Sequence, residues 1–241
     1  MKKALVLGAS GATGRLLVQQ LLQKNIEVVA IVRNSNSLTH IDNSHPNLQI
    51  VEAEISKISV GDLAQYLTEC EVILSCLGHN LTFKGIFGHP RKLVTDAIKQ
   101  VVNAIECIDT NRKFRIILMN TTGISNRDIP EKPPYSQRFV IFLLRLLLPP
   151  HVDNENAVDF LRIKVGNNND NIEWAAVRPD GLINEDQVSQ YDIYASPIRN
   201  AIFNAGTTSR INVADFMSDL AVKPELWAKW KGKMPVIYNH A

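Results

Sequence analysis

Short apolar runs of strand length alternate along the chain with longer stretches whose apolar residues recur at helical spacing. The apolar runs lie at 3–8, 27–32, 48–53, 71–78, 114–121, 172–179 and 236–239. Most are apolar at consecutive positions, which is typical of strands buried on both faces of a parallel sheet. The alternation of strand and helix therefore predicts an α/β fold with a doubly wound parallel sheet.

The stretches between these runs carry the predicted helices. They lie at 13–24, 61–70, 91–109, 154–165 and 212–222. In the last, Asn212 is predicted to be the N-cap and Asp215 the acid three positions on. A further apolar helix, FVIFLLRLLL at 139–148, is predicted to be buried or to form a lid, and to end at Pro149 and Pro150. This stretch is shorter than the ~20 residues that span a bilayer, and Arg145 interrupts it. A surface or dimer contact is the alternative, because a long apolar helix can mark an interface.

The composition, with 45% hydrophobic and 21% charged residues among 241, is that of a globular protein. We expect one domain over 1–241, in which 180–241 contributes to the substrate side. A net charge of +2 gives no reason to expect nucleic acid or a membrane as a partner. The expected partner is a small-molecule substrate, and the apolar helix leaves a homodimer open.

The cysteines and the first residues bear on the compartment. Cys70, Cys76 and Cys107 lack the spacing of a metal site, and no metal is predicted. An odd number of cysteines without a secretion signal predicts reduced thiols in a cytoplasmic protein. The opening MKKALVLGA is interpreted as a core strand rather than as a signal peptide.

Glycines at 8, 11 and 14 fall between the first strand and the first helix, in the stretch GASGATG. Gly8 would serve a tight turn, Gly11 would let a pyrophosphate approach the backbone, and Gly14 would let the helix pack on the strand. The helix N-terminus then offers N–H groups and a positive dipole end to the phosphates. No lysine follows Gly14, as it would in the P-loop of an ATPase. A glycine-rich turn without a ligand is the alternative.

The second strand ends at Arg33, where NAD-binding proteins carry an Asp or Glu that bonds the ribose 2′-hydroxyl. A guanidinium accepts no hydrogen bond but pairs well with a 2′-phosphate. Arg33 therefore predicts NADP(H) rather than NAD(H). An ordinary exposed arginine is the alternative.

Seven short motifs follow one another along the chain: GASGATG at 8–14, VR at 32–33, AEI at 53–55, SCLG at 75–78, NTTG at 120–123, WAAVRPDGLI at 174–183 and RINVADFM at 210–217. With them the chain resembles the atypical, NAD(P)-binding branch of the short-chain dehydrogenase/reductase family. That branch includes flavin- and biliverdin-type reductases, quinone reductases and NmrA-like regulators. The resemblance spans nearly the whole chain and implies a Rossmann fold.

The resemblance also implies that residues at the carboxyl ends of the strands contact the cofactor. They are Ser10, Ala12 and Thr13 at the diphosphate, Glu54 and Ile55 at the adenine, Leu77 and Gly78 beside the ribose and nicotinamide, and Pro179 at the nicotinamide end.

The catalytic pattern of the family is incomplete. Its main branch uses a Ser and a Tyr-x-x-x-Lys, in which the Tyr protonates the carbonyl that accepts hydride. Tyr135 is the candidate Tyr, but Phe139 stands where the Lys would be. Thr122 matches the position of a substrate-facing hydroxyl, without an adjacent base in the sequence. His79 is a further candidate proton donor. A polar loop residue is the alternative for His79, and a packing residue is the alternative for Tyr135.

Three acids, Asp153, Glu155 and Asp159, are interpreted as lying at the start of a helix, where they favour the dipole. A metal site is the alternative. His151, beside the prolines, is interpreted as a loop residue on the surface.

Three functions remain open. The first is an NADP-dependent oxidoreductase that transfers hydride between the nicotinamide and a small apolar or aromatic acceptor, such as a quinone, flavin or carbonyl. The second is an NADP(H) sensor or regulator without turnover, which the missing Tyr/Lys pair favours. An epimerase or lyase with tightly held NAD is the third, and Arg33 argues against it.

Overall fold

The computed structural model describes residues 3–38, 41, 44–79 and 82–240. The strands are β1 (Lys3–Leu7), β2 (Glu27–Val32), β3 (Leu48–Glu52), β4 (Val72–Ser75), β5 (Phe114–Met119), β6 (Ile172–Pro179), β7 (Gly181–Ile183), β8 (Tyr191–Tyr194), β9 (Thr207–Ser209) and β10 (Val236–Asn239). The α-helices are α1 (Gly14–Gln23), α2 (Val60–Leu67), α3 (Phe83–Phe87), α4 (Leu93–Glu106), α5 (Tyr135–Leu147), α6 (Pro149–Asp159), α7 (Arg210–Val222) and α8 (Pro224–Trp230). Short 3₁₀ segments cover Ser35–Leu38 and Ile55–Lys57, and a π-helix at Phe160–Val165 continues α6.

The main sheet has the strand order β3-β2-β1-β4-β5-β6-β10-β8. Its neighbouring strands are parallel, except that β8 is antiparallel to β10. β7 and β9 form a separate parallel pair. The strand order reverses between β1 and β4, which is the point where open α/β sheets bind ligands. The predicted doubly wound Rossmann fold is confirmed.

Both faces of the sheet are covered, and β1 shows how the sequence produces this. Ala4 and Val6 point into one core with α1 and α7, whereas Leu5 and Leu7 point into the other with α2 and α4. Successive side chains of a strand face opposite sides, so a strand between two cores is apolar at every position. This explains the continuous apolar runs of the sequence.

The ends of α1 and α5 follow local rules. After α1, Asn25 adopts a positive φ of 57°, a left-handed conformation that asparagine tolerates at helix ends. Pro149 and Pro150 do end the apolar helix, as predicted, and they also start α6, because proline fits the first turn of a helix. The helix itself begins at Tyr135, four residues before the predicted start.

The starts of α7 and α6 also differ from the prediction. The N-cap of α7 is Ser209, whose hydroxyl accepts a hydrogen bond from the Asn212 N–H, and Asn212 is a buried residue inside the helix. α6 begins five residues before the predicted start. Asp153 and Glu155 therefore lie within the helix and Asp159 at its end, not in its first turn.

Candidate cofactor and substrate site

The turn between β1 and α1 has no room for side chains. Gly8 has a φ of 74°, and a Cβ on it would lie 2.7 Å from the backbone carbon of Cys76. A Cβ on Gly14 would lie 2.1 Å from the carbonyl oxygen of Gly8. Contacts this short are sterically forbidden, so the close approach of helix, turn and strand requires glycine at both positions.

The same turn leaves backbone N–H groups free at the start of α1. The Gly11 N–H donates to the Gly8 carbonyl at 3.0 Å. The N–H groups of Ala12 and Thr13 donate to no other backbone group in the part of the chain that the structure describes. Free N–H groups at the positive end of a helix dipole bind phosphate. This arrangement fits the diphosphate of a dinucleotide.

A first cavity of about 210 Å³ opens beside this turn, along the carboxyl ends of β1, β2, β3 and β4. It is lined by Leu7, Gly8, Ser10, Gly11, Ile31, Val32, Arg33, Ala53, Glu54, Ile55, Cys76, Leu77, Gly78, Pro90 and Leu93. Most of the predicted cofactor residues are brought together here. Ala12, Thr13, Gly14 and Pro179 are not part of this lining, and buried Pro179 instead accepts a hydrogen bond from the Thr122 N–H. Burial raises the pKa of the Cys76 thiol to about 12, so Cys76 is an uncharged wall residue rather than a nucleophile.

Charged groups cluster at the outer end of this cavity. Arg33 is exposed and contributes to lowering the pKa of Glu54, after the stronger hydrogen bonds from Lys57 and Ser56. Glu52 accepts a hydrogen bond from the Ser35 N–H at 2.9 Å. The sequence analysis missed this second acid, whose carboxylate is bonded to Ser35, two positions after Arg33 in the chain.

A second cavity of about 360 Å³ lies beyond the carboxyl ends of β5 and β6. It is lined by Thr122, Ser125, Pro130–Pro134, Gln137 and Ser196–Asn200. Because β5 and β6 follow β4 in the sheet, this cavity continues the line of the first one. Thr122 is the predicted catalytic residue that it contains.

Thr122 has an acid partner that the sequence did not reveal. Its hydroxyl donates to Asp180 Oδ1 at 3.0 Å, and both residues are buried. The other carboxylate oxygen of Asp180 accepts the Gly206 N–H at 2.8 Å. The expectation that Thr122 has no adjacent base is therefore wrong. The partner lies 58 residues away in the chain, and only the pairing of β5 with β6 brings the two together.

His79 is a polar residue of the loop after β4, and both of its ring nitrogens have partners. Its Nε2 lies 2.8 Å from Asp153 Oδ2, and its Nδ1 lies 3.2 Å from the Gly85 carbonyl oxygen. Asp153 also accepts the N–H groups of Val94 and Thr95 in the first turn of α4. Asp153 thus caps α4 and fixes the segment after β4 that carries Leu77 and Gly78.

The two acids that follow in α6 are bound by arginines. Glu155 accepts two hydrogen bonds from Arg145, at 2.8 and 2.7 Å, and Asp159 accepts one from Arg127 at 2.9 Å. Among the described residues, no group of three or more His, Cys, Asp or Glu side chains is placed to hold a metal ion.

His151 is not a surface loop residue, because it lies half-buried in the first turn of α6. A Cβ on Gly123 would lie 3.7 Å from its ring, so His151 packs beside the Thr122 segment. Burial lowers the pKa of His151, which favours the neutral imidazole. Its Nε2 is buried without a hydrogen-bond partner among the described residues.

Tyr135 lies outside the Thr122 cavity. It is exposed at the start of α5, with the Arg138 guanidinium 5.5 Å from its ring centre. It lines a groove along α5 that shares Ser125 and residues 131–134 with the Thr122 cavity. Its predicted catalytic role remains a prediction.

Solved structures resemble the whole chain at low sequence identity. A short-chain dehydrogenase/reductase from Veillonella parvula in complex with NADP matches with a TM-score of 0.71 and 16% identity, over 99% of this chain and 94% of that one. A proposed NAD-dependent epimerase/dehydratase from Bacillus halodurans matches with a TM-score of 0.69 and 19% identity, over 100% of this chain and 95% of that one. A proposed NADH-flavin reductase from Streptococcus pneumoniae matches with a TM-score of 0.66 and 16% identity, over 100% of both chains.

No curated protein sequence matches the chain significantly. The sequence model of one family, with the description NAD(P)H-binding, matches residues 8–224. This span runs from the glycine turn to the start of α8, so it includes nearly all of the residues that line the two cavities. The chain belongs to the NAD(P)H-binding family.

Proposed function

We propose that the protein is an NADP(H)-dependent oxidoreductase that transfers hydride between the nicotinamide and a small apolar or aromatic acceptor, such as a quinone, flavin or carbonyl. The observation that carries the proposal is the Thr122 cavity, which continues the line of the glycine-turn cavity along the sheet edge. A dinucleotide held at the turn would extend toward β5 and β6. Residues 196–200 form the far wall, which supports a substrate side built from the C-terminal part of the chain.

The choice of NADP(H) depends on the corner between β2 and β3. Arg33 lines the cavity there and is exposed, so its guanidinium is available to a 2′-phosphate. Glu52 opposes this phosphate through its charge and occupies the Ser35 N–H. Arg33 therefore attracts the 2′-phosphate, and Glu52 repels it.

Substitution of these two residues separates their effects. Arg33→Ala should weaken NADP(H) binding about tenfold and leave NAD(H) binding nearly unchanged, since only the former carries the extra phosphate. Glu52→Gln keeps an acceptor for the Ser35 N–H and should strengthen NADP(H) binding. Calorimetric titration of both cofactors measures this. Equal weakening for both cofactors in Arg33→Ala, or a preference of the wild type for NAD(H), would refute the assignment.

Thr122 and Asp180 supply the acid–base chemistry of the proposal. The hydroxyl hydrogen of Thr122 points to Asp180, which leaves its oxygen as an acceptor toward the cavity. A substrate hydroxyl can donate to this oxygen. The nicotinamide, when bound, accepts or supplies the hydride. When the substrate hydroxyl is oxidised, its proton passes to Thr122 while the Thr122 proton passes to Asp180. Reduction of a carbonyl follows the same path in reverse.

An activity test can distinguish this path from proton uptake out of water. Asp180→Asn keeps a hydrogen-bond acceptor but cannot exchange a proton. It should slow the reduction of an aryl ketone by NADPH about 10²-fold. The reduction of a naphthoquinone or FMN should change little, because these acceptors can take a proton from water. Asp192→Asn, at a half-exposed acid of β8, is the matched control. An equal loss with all acceptors would refute the proton path.

A sensor without turnover is the second candidate. The position of Tyr135 outside the Thr122 cavity favours it, because the usual Tyr/Lys acid is missing from the site. If NADPH binds but no acceptor of the three classes is reduced, this candidate replaces the first. It then requires different affinities for reduced and oxidised cofactor, since a ligand shifts a conformational equilibrium only by its differential affinity.

A further inference from the structure

α5 presents an apolar face to solvent. The exposed apolar side chains lie at i, i+4, i+7, i+8, i+11 and i+12 and so share one side of the helix. They are Tyr135, Phe139, Phe142, Leu143, Leu146 and Leu147. Their exposed fractions run from 36% at Leu143 to 85% at Tyr135. A monomeric protein rarely exposes an apolar patch this large without an interaction partner.

This face is not needed to attach the helix to the protein. Gln137 and Ile141, on the opposite side of α5, are the buried residues that pack inward. Arg145 adds two hydrogen bonds to Glu155 of α6. The outward face is therefore a second apolar stripe on a helix that is already held in place. The expectation that the apolar helix is simply buried is wrong.

The charged residues of the α5 segment itself are all basic. Between Tyr135 and Leu148 the chain has Arg138 and Arg145 but no Asp or Glu. A groove of about 1020 Å³ runs beside the helix, lined by Arg138, Arg145 and Lys132 together with Phe139, Phe142 and other residues. Glu131, the one acid in this lining, is paired with buried Arg178. The net charge of the whole chain hides this local basic surface.

The chemistry of the face selects the partner. Arg145 is paired with Glu155, whereas Lys132 and Arg138 have no ion-pair partner among the described residues. Two copies of α5 placed face to face would bring these unpaired cations together, so like charges oppose a dimer here. An apolar stripe flanked by basic residues matches a surface of acyl chains and anionic headgroups. The 13-residue helix is about 20 Å long and could lie flat in such a surface. No described helix is long and apolar enough to cross a membrane.

We propose that α5 docks the protein on the surface of an anionic lipid bilayer. The outward apolar side chains enter the boundary between headgroups and acyl chains, while Lys132 and Arg138 contact anionic headgroups. The proposal does not depend on the cofactor or on the reaction.

Vesicle sedimentation of the full-length protein tests the proposal. Vesicles of phosphatidylcholine with phosphatidylglycerol should bind several-fold more protein than vesicles of phosphatidylcholine alone, and added salt should weaken the binding. The double variant Phe142→Ser/Leu146→Ser should reduce the bound fraction about tenfold, since it removes two of the exposed apolar side chains. Val188→Ser, at an exposed apolar residue outside α5, is the matched control and should bind like the wild type.

The second variant pair, Lys132→Gln/Arg138→Gln, keeps the apolar face and should lose the preference for anionic vesicles. It keeps the test decisive if the serine variant does not fold. Two results would overturn the proposal. One is equal sedimentation of wild type and both double variants. The other is a dimer, detected by light scattering, that the serine variant dissociates, which would make the face a contact between copies.

Discussion

At the scale of single residues, Gly14 fixes how closely the first helix approaches the first strand. A Cβ there would lie 2.1 Å from the Gly8 carbonyl oxygen, so α1 must move away in Gly14→Ala. We expect a loss of about 1–3 kcal/mol in the free energy of unfolding, together with weaker cofactor binding. Gly61→Ala is the control, because the nearest atom to its Cβ is the Ser59 Oγ at 3.9 Å. Urea unfolding measures both. A Gly14→Ala protein as stable as the control would contradict this reading of the turn.

Arg178 makes a second prediction at this scale. It is fully buried and donates to Glu131, to the Met234 carbonyl at 2.8 Å and to the Ile124 carbonyl at 3.0 Å. Arg178→Met leaves the Glu131 carboxylate and both carbonyls without this donor and should cost about 3–5 kcal/mol. Arg199→Met, at a position whose guanidinium bonds are exposed, should cost less than about 1 kcal/mol. Similar unfolding midpoints for the two variants would contradict the prediction.

At the residue scale, the sequence predicted positions where a local rule applies. The glycine turn and the position of Arg33 beside the first cavity could be predicted because both lie directly after a strand, and their contacts with a cofactor remain predictions. Asp180 and Glu52 could not be predicted, because their partners are set by strand pairing over longer distances in the chain. The same holds for His79, whose partner Asp153 lies 74 residues away.

At the scale of elements, Lys24 joins α1 to α7. Its ammonium group donates to Asp219 at 2.7 Å and to Asp215 at 3.2 Å. Burial opposes ionisation of Asp219, but hydrogen bonds from Lys223 and Lys24 outweigh it and hold the pKa of Asp219 below 3.8. A depressed folded pKa stabilises the protein above the unfolded pKa, and this stability is lost as the pH falls through the folded value.

Asp219→Asn should therefore lower the free energy of unfolding by about 1 kcal/mol at neutral pH. The difference from the wild type should shrink as the pH falls below 3.8, where the wild-type carboxylate becomes protonated. Asp170→Asn, at an exposed acid in the loop before β6, should show no such pH dependence. Unfolding curves at several pH values provide the measurement, and a constant difference between wild type and Asp219→Asn would contradict the ion-pair account.

Elements with strong patterns were predictable, and weakly patterned ones were not. The strands of the parallel sheet read as continuous apolar runs because both of their faces are buried. β7, β8 and β9 have only three or four residues each, too few for a hydrophobic pattern, and their strand geometry depends on partners elsewhere. The start of α6 was missed because two prolines, which usually end a helix, here begin one.

At the scale of the whole molecule, the two cavities follow each other along the carboxyl-terminal edge of the sheet. The glycine turn and Arg33 lie over β1 to β3, and the Thr122–Asp180 pair lies over β5 and β6. α5 extends beside the second cavity and carries the apolar face. In this account one end of the site holds the cofactor, the middle transfers hydride, and the outer wall faces a lipid surface.

The most direct test of the central claim is calorimetric titration of the wild-type protein with NADPH and NADH. The account predicts saturable binding of NADPH, with an affinity about tenfold or more above that for NADH. Binding of neither dinucleotide would contradict the assignment of the glycine turn, and a preference for NADH would contradict the role of Arg33.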